Sequence, residues 1–205
     1  MIFETLEVGP LAVNCYIIGS KADNTAVVID AGGSAEEIVK ILKKRNLTLK
    51  YIINTHAHFD HVGGVSELQD LTGAPFLLHK EDVPLLDFLD EQSRFFGLPP
   101  IPKPKISKYL IDNEEIHFGN EIIRIIHTPG HSPGCVCFLL NGVVFVGDTL
   151  FAGSIGRTDL YGGSHDTLIH SVKTRLFTLE DKVLVYPGHG PVTTIGEEKK
   201  HNPFF

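Results

Sequence analysis

The stretch Tyr51–Gly64, YIINTHAHFDHVGG, joins a short apolar run to a dense group of polar side chains. It places His56, His58, Asp60 and His61 directly after that run. In an extended segment a spacing of two points the first three side chains in similar directions and His61 elsewhere. Imidazole and carboxylate groups suit zinc, iron or manganese. A solvated loop would explain one histidine, but this cluster predicts a loop that serves two metal centres.

Three further candidate ligands follow predicted strands: His131 after IIRIIHTPG, Asp148 after VVFVG, and His189 after VLVYPG. Taken alone, an Asp or His in such a place usually forms a turn or cap, because its side chain readily bonds turn backbone. Together with the first cluster they supply seven ligands. That number is enough for two open catalytic sites that share one bridging carboxylate.

The segment HTPGHSPG, His127–Gly134, also contains the G-x-S-x-G pattern of a serine nucleophile elbow. The elbow needs the backbone N–H after the serine, and Pro133 has none. It also turns into a helix, whereas the following CVCFLL is typical of a strand. His131 is therefore the predicted functional residue, and Ser132 is interpreted as a turn residue.

The pattern predicts an α/β fold of two sheets packed face to face with helices outside. AVNCYII and TAVVID form a predicted hairpin, and Ser34 with Glu37 forms a predicted capping box for a helix through about Arg45. A strand ending at Asp, then a helix, then a strand delivering His occurs twice, in VVIDAGG to YIINTHAH and in VFVGDTL to VLVYPGHG. Two such units would bring their polar ends to one edge.

The segment Phe88–Lys105 is predicted to be a long surface loop, because four prolines between Pro99 and Pro104 oppose regular structure. Its apolar residues Phe95, Phe96 and Leu98 either pack on the core, which we favour, or form one wall of a pocket. The sequence does not decide whether the segment moves as a lid.

The composition is that of a globular protein, with 205 residues, 42% hydrophobic and 21% charged. The net charge of -7 argues against nucleic-acid and acidic-membrane partners. There is no apolar run long enough for a membrane span and no pattern of a secretory leader. Three cysteines are too few for a disulfide framework, so we expect a cytoplasmic protein.

The motifs THAHFDHVGG, HTPGHSPG, GDTLFAGSIGR and YPGHGP resemble those of the metallo-β-lactamase superfamily. The resemblance is strongest to its glyoxalase II-like hydroxyacylglutathione hydrolase branch, of the compact prokaryotic type, and runs from NCYII to NPFF. It implies an αββα sandwich, with two packed mixed β-sheets and helices on the outer faces. It also implies one domain over residues 1–205, without the C-terminal glutathione-binding helices of longer relatives.

The resemblance distributes the candidate ligands over two divalent metal ions per chain, with zinc expected first and iron or manganese as alternatives. The ligands that it assigns to the first ion are His56, His58 and His131. Those that it assigns to the second are Asp60, His61 and His189, and Asp148 bridges both.

Two such ions would generate a bridging hydroxide, which favours hydrolysis of a small-molecule thioester. Asp60 is the predicted catalytic residue, because it could orient this hydroxide while ligating the second ion. The resemblance indicates S-D-lactoylglutathione or a related acylglutathione as substrate, with Arg157 as a substrate contact and Tyr161 as a weaker candidate. Arg157 could instead simply pair with Asp159.

Other activities on this fold remain open. A mononuclear iron persulfide dioxygenase also matches GRTD, Gly156–Asp159, and lactonase or β-lactamase activities are hydrolytic alternatives. A metal-binding protein without catalysis is a remote alternative. The sequence does not determine the oligomeric state.

Overall fold

Two six-stranded mixed sheets pack face to face in the computed structural model, which describes residues 1–205, and helices cover both outer surfaces. The first sheet has the strand order β1 (Ile2–Val8), β2 (Val13–Gly19), β3 (Thr25–Ile29), β4 (Thr48–Ile53), β5 (Phe76–His79) and β6 (Ile106–Leu110). The predicted αββα sandwich is therefore confirmed.

The second sheet is built from the C-terminal half of the chain, and a short ribbon lies beside it. Its strands in chain order are β7 (Glu115–Phe118), β8 (Glu121–His127), β9 (Val136–Leu140), β10 (Val143–Gly147), β13 (Leu184–Pro187) and β14 (Thr193–Thr194). They are arranged in the order β14-β13-β10-β9-β8-β7. The ribbon consists of β11 (Leu150–Phe151) and β12 (Ser154–Ile155).

Seven α-helices complete the fold. They are α1 (Ala35–Lys44), α2 (Phe59–Val62), α3 (Val65–Thr72), α4 (Val83–Asp87), α5 (Leu89–Phe95), α6 (His165–Ser171) and α7 (Ile195–His201). A π-helical turn, Val172–Leu176, directly continues α6. No helix has the length and apolar character that crossing a membrane demands.

The layers of the core follow from the alternating directions of side chains along strands that are buried on both faces. In β2, Cys15 and Ile17 belong to the core beneath α1 and α3, whereas Tyr16 and Ile18 belong to the core between the sheets. Successive side chains of a strand point to opposite faces, so one apolar run contributes to both layers. A third cluster, which includes Leu168 of α6, packs against the outer face of the second sheet.

The predicted repeat is confirmed as two equivalent units. In the first unit, β3 pairs in parallel with β4, and α1 connects the two strands along the chain. In the second unit, β10 pairs in parallel with β13, and α6 lies in the connection between them. The carboxyl ends of parallel strands lie at the same edge of a sheet. The loops after all four strands therefore open toward one end of the sandwich.

The helix predicted after Ser34 is present, but the prediction of a capping box at its start is wrong. Ser34 has φ of 55° and its side chain makes no capping hydrogen bond; instead its carbonyl accepts from the N–H of Glu37. The reason is the preceding turn, in which Gly32 and Gly33 pass against other backbone segments. That path puts Ser34 in the left-handed region, where the geometry of an ordinary N-cap is lost.

The segment Phe88–Lys105 is only partly irregular, so its prediction as a structureless loop is wrong in its first half. Helix α5 spans Leu89–Phe95, with Leu89 and Ser93 buried. The prolines begin only at Pro99, and they oppose regular structure after that point but not before it. Helix α5 also contributes side chains to the candidate site.

Gly32 is expected to be intolerant of a side chain, since a Cβ there would lie 1.8 Å from the carbonyl oxygen of Asp60. We expect Gly32→Ala to lower the free energy of unfolding by about 1–3 kcal/mol, the usual range for overpacking. Urea denaturation measures this. Glu36→Ala, at an exposed position of α1, is the control; equal stability of the two variants would contradict the prediction.

Candidate metal centre

The structure brings all seven predicted ligands together at the end of the sandwich to which the parallel strands point. His56 and His58 lie in the loop after β4, and Asp60 and His61 lie on α2. The other three lie after β8, β10 and β13, and are His131, Asp148 and His189. Most of these side chains are buried, while Asp148 and His189 are partly exposed.

Three imidazole nitrogens converge in the first group. The Nε2 atom of His131 lies 2.8 Å from Nδ1 of His58 and 3.2 Å from Nε2 of His56. Ligands at zinc–nitrogen distances of about 2.0–2.1 Å in tetrahedral geometry lie about 3.3 Å from one another. The spacing of these nitrogens therefore fits a common metal ion.

The second group contains Asp60, His61 and His189. Oδ2 of Asp60 lies 3.3 Å from Nε2 of His189 and 3.8 Å from Nε2 of His61. Asp148 lies between the two groups, with Oδ1 3.3 Å from Nε2 of His61 and Oδ2 3.6 Å from Nε2 of His131. Its two oxygens thus face different groups, as a bridging carboxylate requires.

Two buried polar atoms in this cluster, His61 Nε2 and Asp148 Oδ1, lie 3.3 Å apart without the geometry of a hydrogen bond, and neither has another partner. Buried polar atoms are nearly always satisfied, because an unpaired one retains its desolvation penalty. Both atoms are metal-ligand types that point into the shared space of the cluster. The residues present therefore fit divalent cations.

The surroundings of the cluster favour the ligating forms of its members. Burial and the neighbouring charge of His131 lower the pKa of His58 to about 3, so its ring is neutral at physiological pH. Burial would raise the pKa of Asp60 and Asp148, but the charge of His61 holds both below the ordinary value. Neutral imidazole and ionised carboxylate are the forms that bind metals.

His61 differs from the other histidines of the cluster. Burial would lower its pKa, but the charges of Asp148, Asp60 and Asp30 raise it well above the ordinary value. The three carboxylates therefore favour a positive charge at this point of the structure.

Several ligand rings are oriented through the nitrogen that faces away from the cluster. Asp30 Oδ2 lies 3.0 Å from Nδ1 of His61, and the same carboxylate accepts from the backbone N–H and hydroxyl of Thr55 at 2.7 Å each. Nδ1 of His131 lies 2.7 Å from the carbonyl oxygen of Arg157. Such contacts fix the tautomer and direction of a ligating ring. Asp30 was missed as a site residue, although its place in the repeated strand–Asp–helix unit matches that of Asp148.

Asp82 is a second residue that the sequence analysis missed. Its buried carboxylate accepts from the backbone N–H of Ala57 at 3.0 Å, from Oγ of Ser132 at 2.8 Å and from the backbone N–H of Gly134 at 2.6 Å. It thus joins the loop of His56 and His58 to the loop of His131. No local signal identifies Asp82, because its three partners lie far away along the chain.

Ser132 lies in a turn, as predicted, and its hydroxyl is fully buried against Asp82. The loop around it is also held by His127, whose Nε2 lies 2.9 Å from the carbonyl oxygen of Pro133. These contacts leave Ser132 without access to a substrate. They hold the turn that presents His131.

Five of the seven ligands, all except His56 and His61, line the floor of an open cavity of about 450 Å³. The other residues that line it are Leu11, Phe59, Gln92, Phe95, Phe96, Arg157 and Leu160. Leu98 packs against the core, as favoured for the whole segment, but Phe95 and Phe96 form part of the cavity wall. The favoured core packing is therefore wrong for these two residues, because α5 carries them to the mouth of the site.

The two predicted substrate contacts lie in different surroundings. Arg157 lines the cavity, but its guanidinium makes two contacts of 2.8 Å with the carboxylate of Asp159. Tyr161 lies in a neighbouring cavity of about 330 Å³, beside Phe88 at a ring distance of 5.9 Å. The two cavities share His58, Gln92 and Leu160.

Comparison with known proteins gives matches over nearly the whole chain. The sequence model of the Metallo-beta-lactamase superfamily matches residues 8–189. A protein named hydroxyacylglutathione hydrolase GloC, from Haemophilus influenzae, is 38% identical over 208 residues, covering 100% of this chain and 98% of that protein. The mitochondrial persulfide dioxygenase ETHE1 of Bos taurus is 33% identical over 196 residues, covering 92% of this chain and 69% of that protein.

Two solved structures have the same fold over almost their full length. The B3 metallo-beta-lactamase BLEG-1 superposes with a TM-score of 0.91 at 40% identity, covering 99% of each chain. TTHA1623, in a di-iron-bound form, superposes with a TM-score of 0.89 at 38% identity, covering 98% of this chain and 100% of that one.

The grouping of ligands predicts the metal content of variants. We expect two zinc ions per chain when the protein is loaded with zinc. His189→Ala should retain one ion, because the three imidazoles of the first group are unchanged. Elemental analysis after removal of free metal measures the content, with His201→Ala, at an exposed position of α7, as the control. An unchanged metal content in His189→Ala would contradict the assignment.

The contacts of Asp82 predict an effect on metal binding without a ligand being touched. Asp82→Asn should weaken zinc binding by about 10–100-fold, because an amide cannot accept all three hydrogen bonds that set the two loops. Ser132→Ala removes one of the three and should give a smaller loss in the same direction. Competition with a coloured chelator measures affinity, and circular dichroism checks folding. Wild-type affinity in both variants would refute this role.

Proposed function

This chain belongs to the metallo-β-lactamase superfamily of metal-dependent hydrolases, and we propose that it is a thioester hydrolase of the glyoxalase II type. Its proposed substrate is S-D-lactoylglutathione or a related acylglutathione. The observation that carries the proposal is a cluster of metal ligands on the floor of an open cavity whose lining contains no serine, threonine, cysteine or lysine.

The chain offers no covalent nucleophile at this place. Its cysteines, Cys15, Cys135 and Cys137, are all buried, and burial raises the pKa of each thiol. A buried thiol of raised pKa is unreactive, because the thiolate is the attacking form. Ser132 is enclosed with Asp82. Water is therefore the nucleophile that this site favours.

The proposed metal ligands are the seven side chains described above, with Asp148 shared between the two groups. Divalent ions bound there supply a water of lowered pKa and polarise a carbonyl oxygen. Zinc is the proposed metal, with iron or manganese as alternatives, since the donor set suits all three.

Asp60 is the proposed catalytic residue. Its carboxylate is largely buried at the cavity floor, 3.3 Å from Nε2 of His189. Because its pKa is lowered, Asp60 is ionised at neutral pH and can accept a hydrogen bond from the attacking water. That hydrogen bond would direct a lone pair of the water toward the substrate carbonyl.

A thioester suits a site that lacks a separate proton donor for the leaving group. The thiol of a leaving group such as glutathione has a pKa of about 8.5, so its thiolate departs with little help from a general acid. For the glutathione portion, Arg157 is the proposed contact, after exchanging part of its pairing with Asp159. Tyr161 is proposed as a more distant contact from the neighbouring cavity.

The runner-up is an iron-dependent persulfide dioxygenase, which the bovine relative and the segment Gly156–Asp159 favour. Such an enzyme needs one iron and oxygen, and it would leave ligands of the second group without a catalytic role. Lactones and β-lactams are further hydrolytic alternatives, the latter suggested by the likeness to BLEG-1. A metal-binding role without catalysis is the remote alternative.

The decisive experiment measures metal content and S-D-lactoylglutathione hydrolysis on one preparation. We expect turnover with two metals per chain, and a loss of at least about 100-fold in kcat/KM for His58→Ala, because the first group loses one of three imidazoles. His201→Ala, remote from the cluster, is the matched histidine control.

Oxygen uptake with glutathione persulfide, one iron per chain and no thioester turnover would support the dioxygenase instead. Full metal without turnover of thioesters, lactones or β-lactams would support a non-catalytic role. A His58→Ala variant that keeps both metal and rate would show that the site is assigned wrongly.

A further inference from the structure

An aromatic strip leads from the metal ligands to the surface of the protein. Phe59 lies between His58 and Asp60 in the chain and is 5% exposed. The ring of Phe96 lies 4.9 Å from that of Phe59 and is 45% exposed, and the ring of Phe95 lies 5.3 Å from that of Phe96 and is 85% exposed. All three line the cavity above the cluster.

The strip is fixed to the ligand loop. Oε1 of Gln92 accepts from the backbone N–H of Phe59 at 3.1 Å, and its Nε2 donates to the carbonyl oxygen of Leu85 at 3.0 Å. Gln92 lies on α5, one turn before Phe95 and Phe96. These bonds tie the segment that carries Phe95 and Phe96 to the loop of His58 and Asp60, and the contact between Phe59 and Phe96 joins the strip to that loop.

The rest of the cavity mouth adds apolar surface and little positive charge. Leu11 and Leu160 also line it. The lining contains one arginine, Arg157, and no lysine. The guanidinium of Arg157 is already paired with Asp159. A ligand carrying several carboxylates thus meets a single, engaged cation, while an apolar group meets five apolar side chains.

We propose that the acyl group of the thioester is an apolar chain or ring that lies along Phe59, Phe96 and Phe95. This inference rests on the proposed thioester hydrolysis. Glutathione carries two carboxylates and an ammonium group, and burying these against phenyl rings without partners would be unfavourable. The acyl group is the part of the substrate that can cover the strip, and a lactoyl group is too short and too polar to do so.

The length of the acyl chain tests this proposal directly. Across acetyl-, butanoyl-, hexanoyl- and octanoylglutathione, kcat/KM should rise by about three- to fourfold per buried methylene until the strip is covered. Octanoylglutathione should also exceed S-D-lactoylglutathione. Phe96→Ala should reduce the ratio of octanoyl to acetyl turnover by at least about tenfold, whereas Phe204→Ala, an exposed phenylalanine outside the cavity, should leave that ratio unchanged.

A binding measurement separates this proposal from catalysis. The chain contains no tryptophan, so Phe96→Trp introduces a single indole reporter into the strip. The non-hydrolysable thioether S-octylglutathione should shift the indole emission to shorter wavelength and bind at least about tenfold more tightly than S-methylglutathione. The same titration of Phe204→Trp should give no shift.

The outcomes distinguish the two proposals. Turnover without dependence on chain length, together with equal binding of the two thioethers, would overturn the acyl assignment and leave thioester hydrolysis intact. Absence of turnover for every member of the series would overturn thioester hydrolysis and the acyl assignment with it, even if the octyl thioether bound the strip.

Discussion

The fold is organised around the burial of carboxylates among imidazoles at one end of the sandwich. Asp60 is almost fully enclosed, Asp30 lies directly beneath His61, and Asp148 separates the two ligand groups. Moving an ionised carboxylate out of water is unfavourable by several kcal/mol unless charge and hydrogen bonds compensate. The positive charge that the carboxylates favour on His61 offsets part of this penalty. Cations bound at the unsatisfied atoms of the cluster would offset the rest.

The sheets place the ligands approximately, and buried polar contacts place them accurately. Parallel pairing of β3 with β4 and of β10 with β13 brings four strand ends to one edge. A displacement of about 1 Å would disturb the position of a metal ligand, whereas the end of a strand tolerates it. Asp82 and Asp30 provide that final precision, because each is a buried acceptor that holds two or more segments at hydrogen-bond distance. We therefore expect both carboxylates to contribute to metal affinity, because they orient the loops and rings that carry the ligands.

The floor and the wall of the cavity have different origins. The floor consists of residues that follow strands of the two sheets, and it contains candidate metal ligands. Much of the aromatic wall comes from α5 and the residue that follows it, which contact the ligand loop through the side chain of Gln92 and through the rings of Phe59 and Phe96. Phe95 and Phe96 lie outside the segments that carry the metal ligands, so these two side chains can be changed without replacing a ligand. Under the proposed function, different parts of the chain therefore provide substrate preference and reaction chemistry.

The sequence by itself determined the layered fold and the set of candidate ligands. Both depend on local patterns: alternation of apolar residues builds the strands, and the ligand types recur where strands end. The tertiary structure alone revealed Asp82, Gln92 and the left-handed Ser34, and it moved Phe95 and Phe96 from the expected core to the cavity wall. Each of these features depends on segments distant in the chain. Their roles are fixed by packing and hydrogen bonding after the chain has folded, which no short-range pattern records.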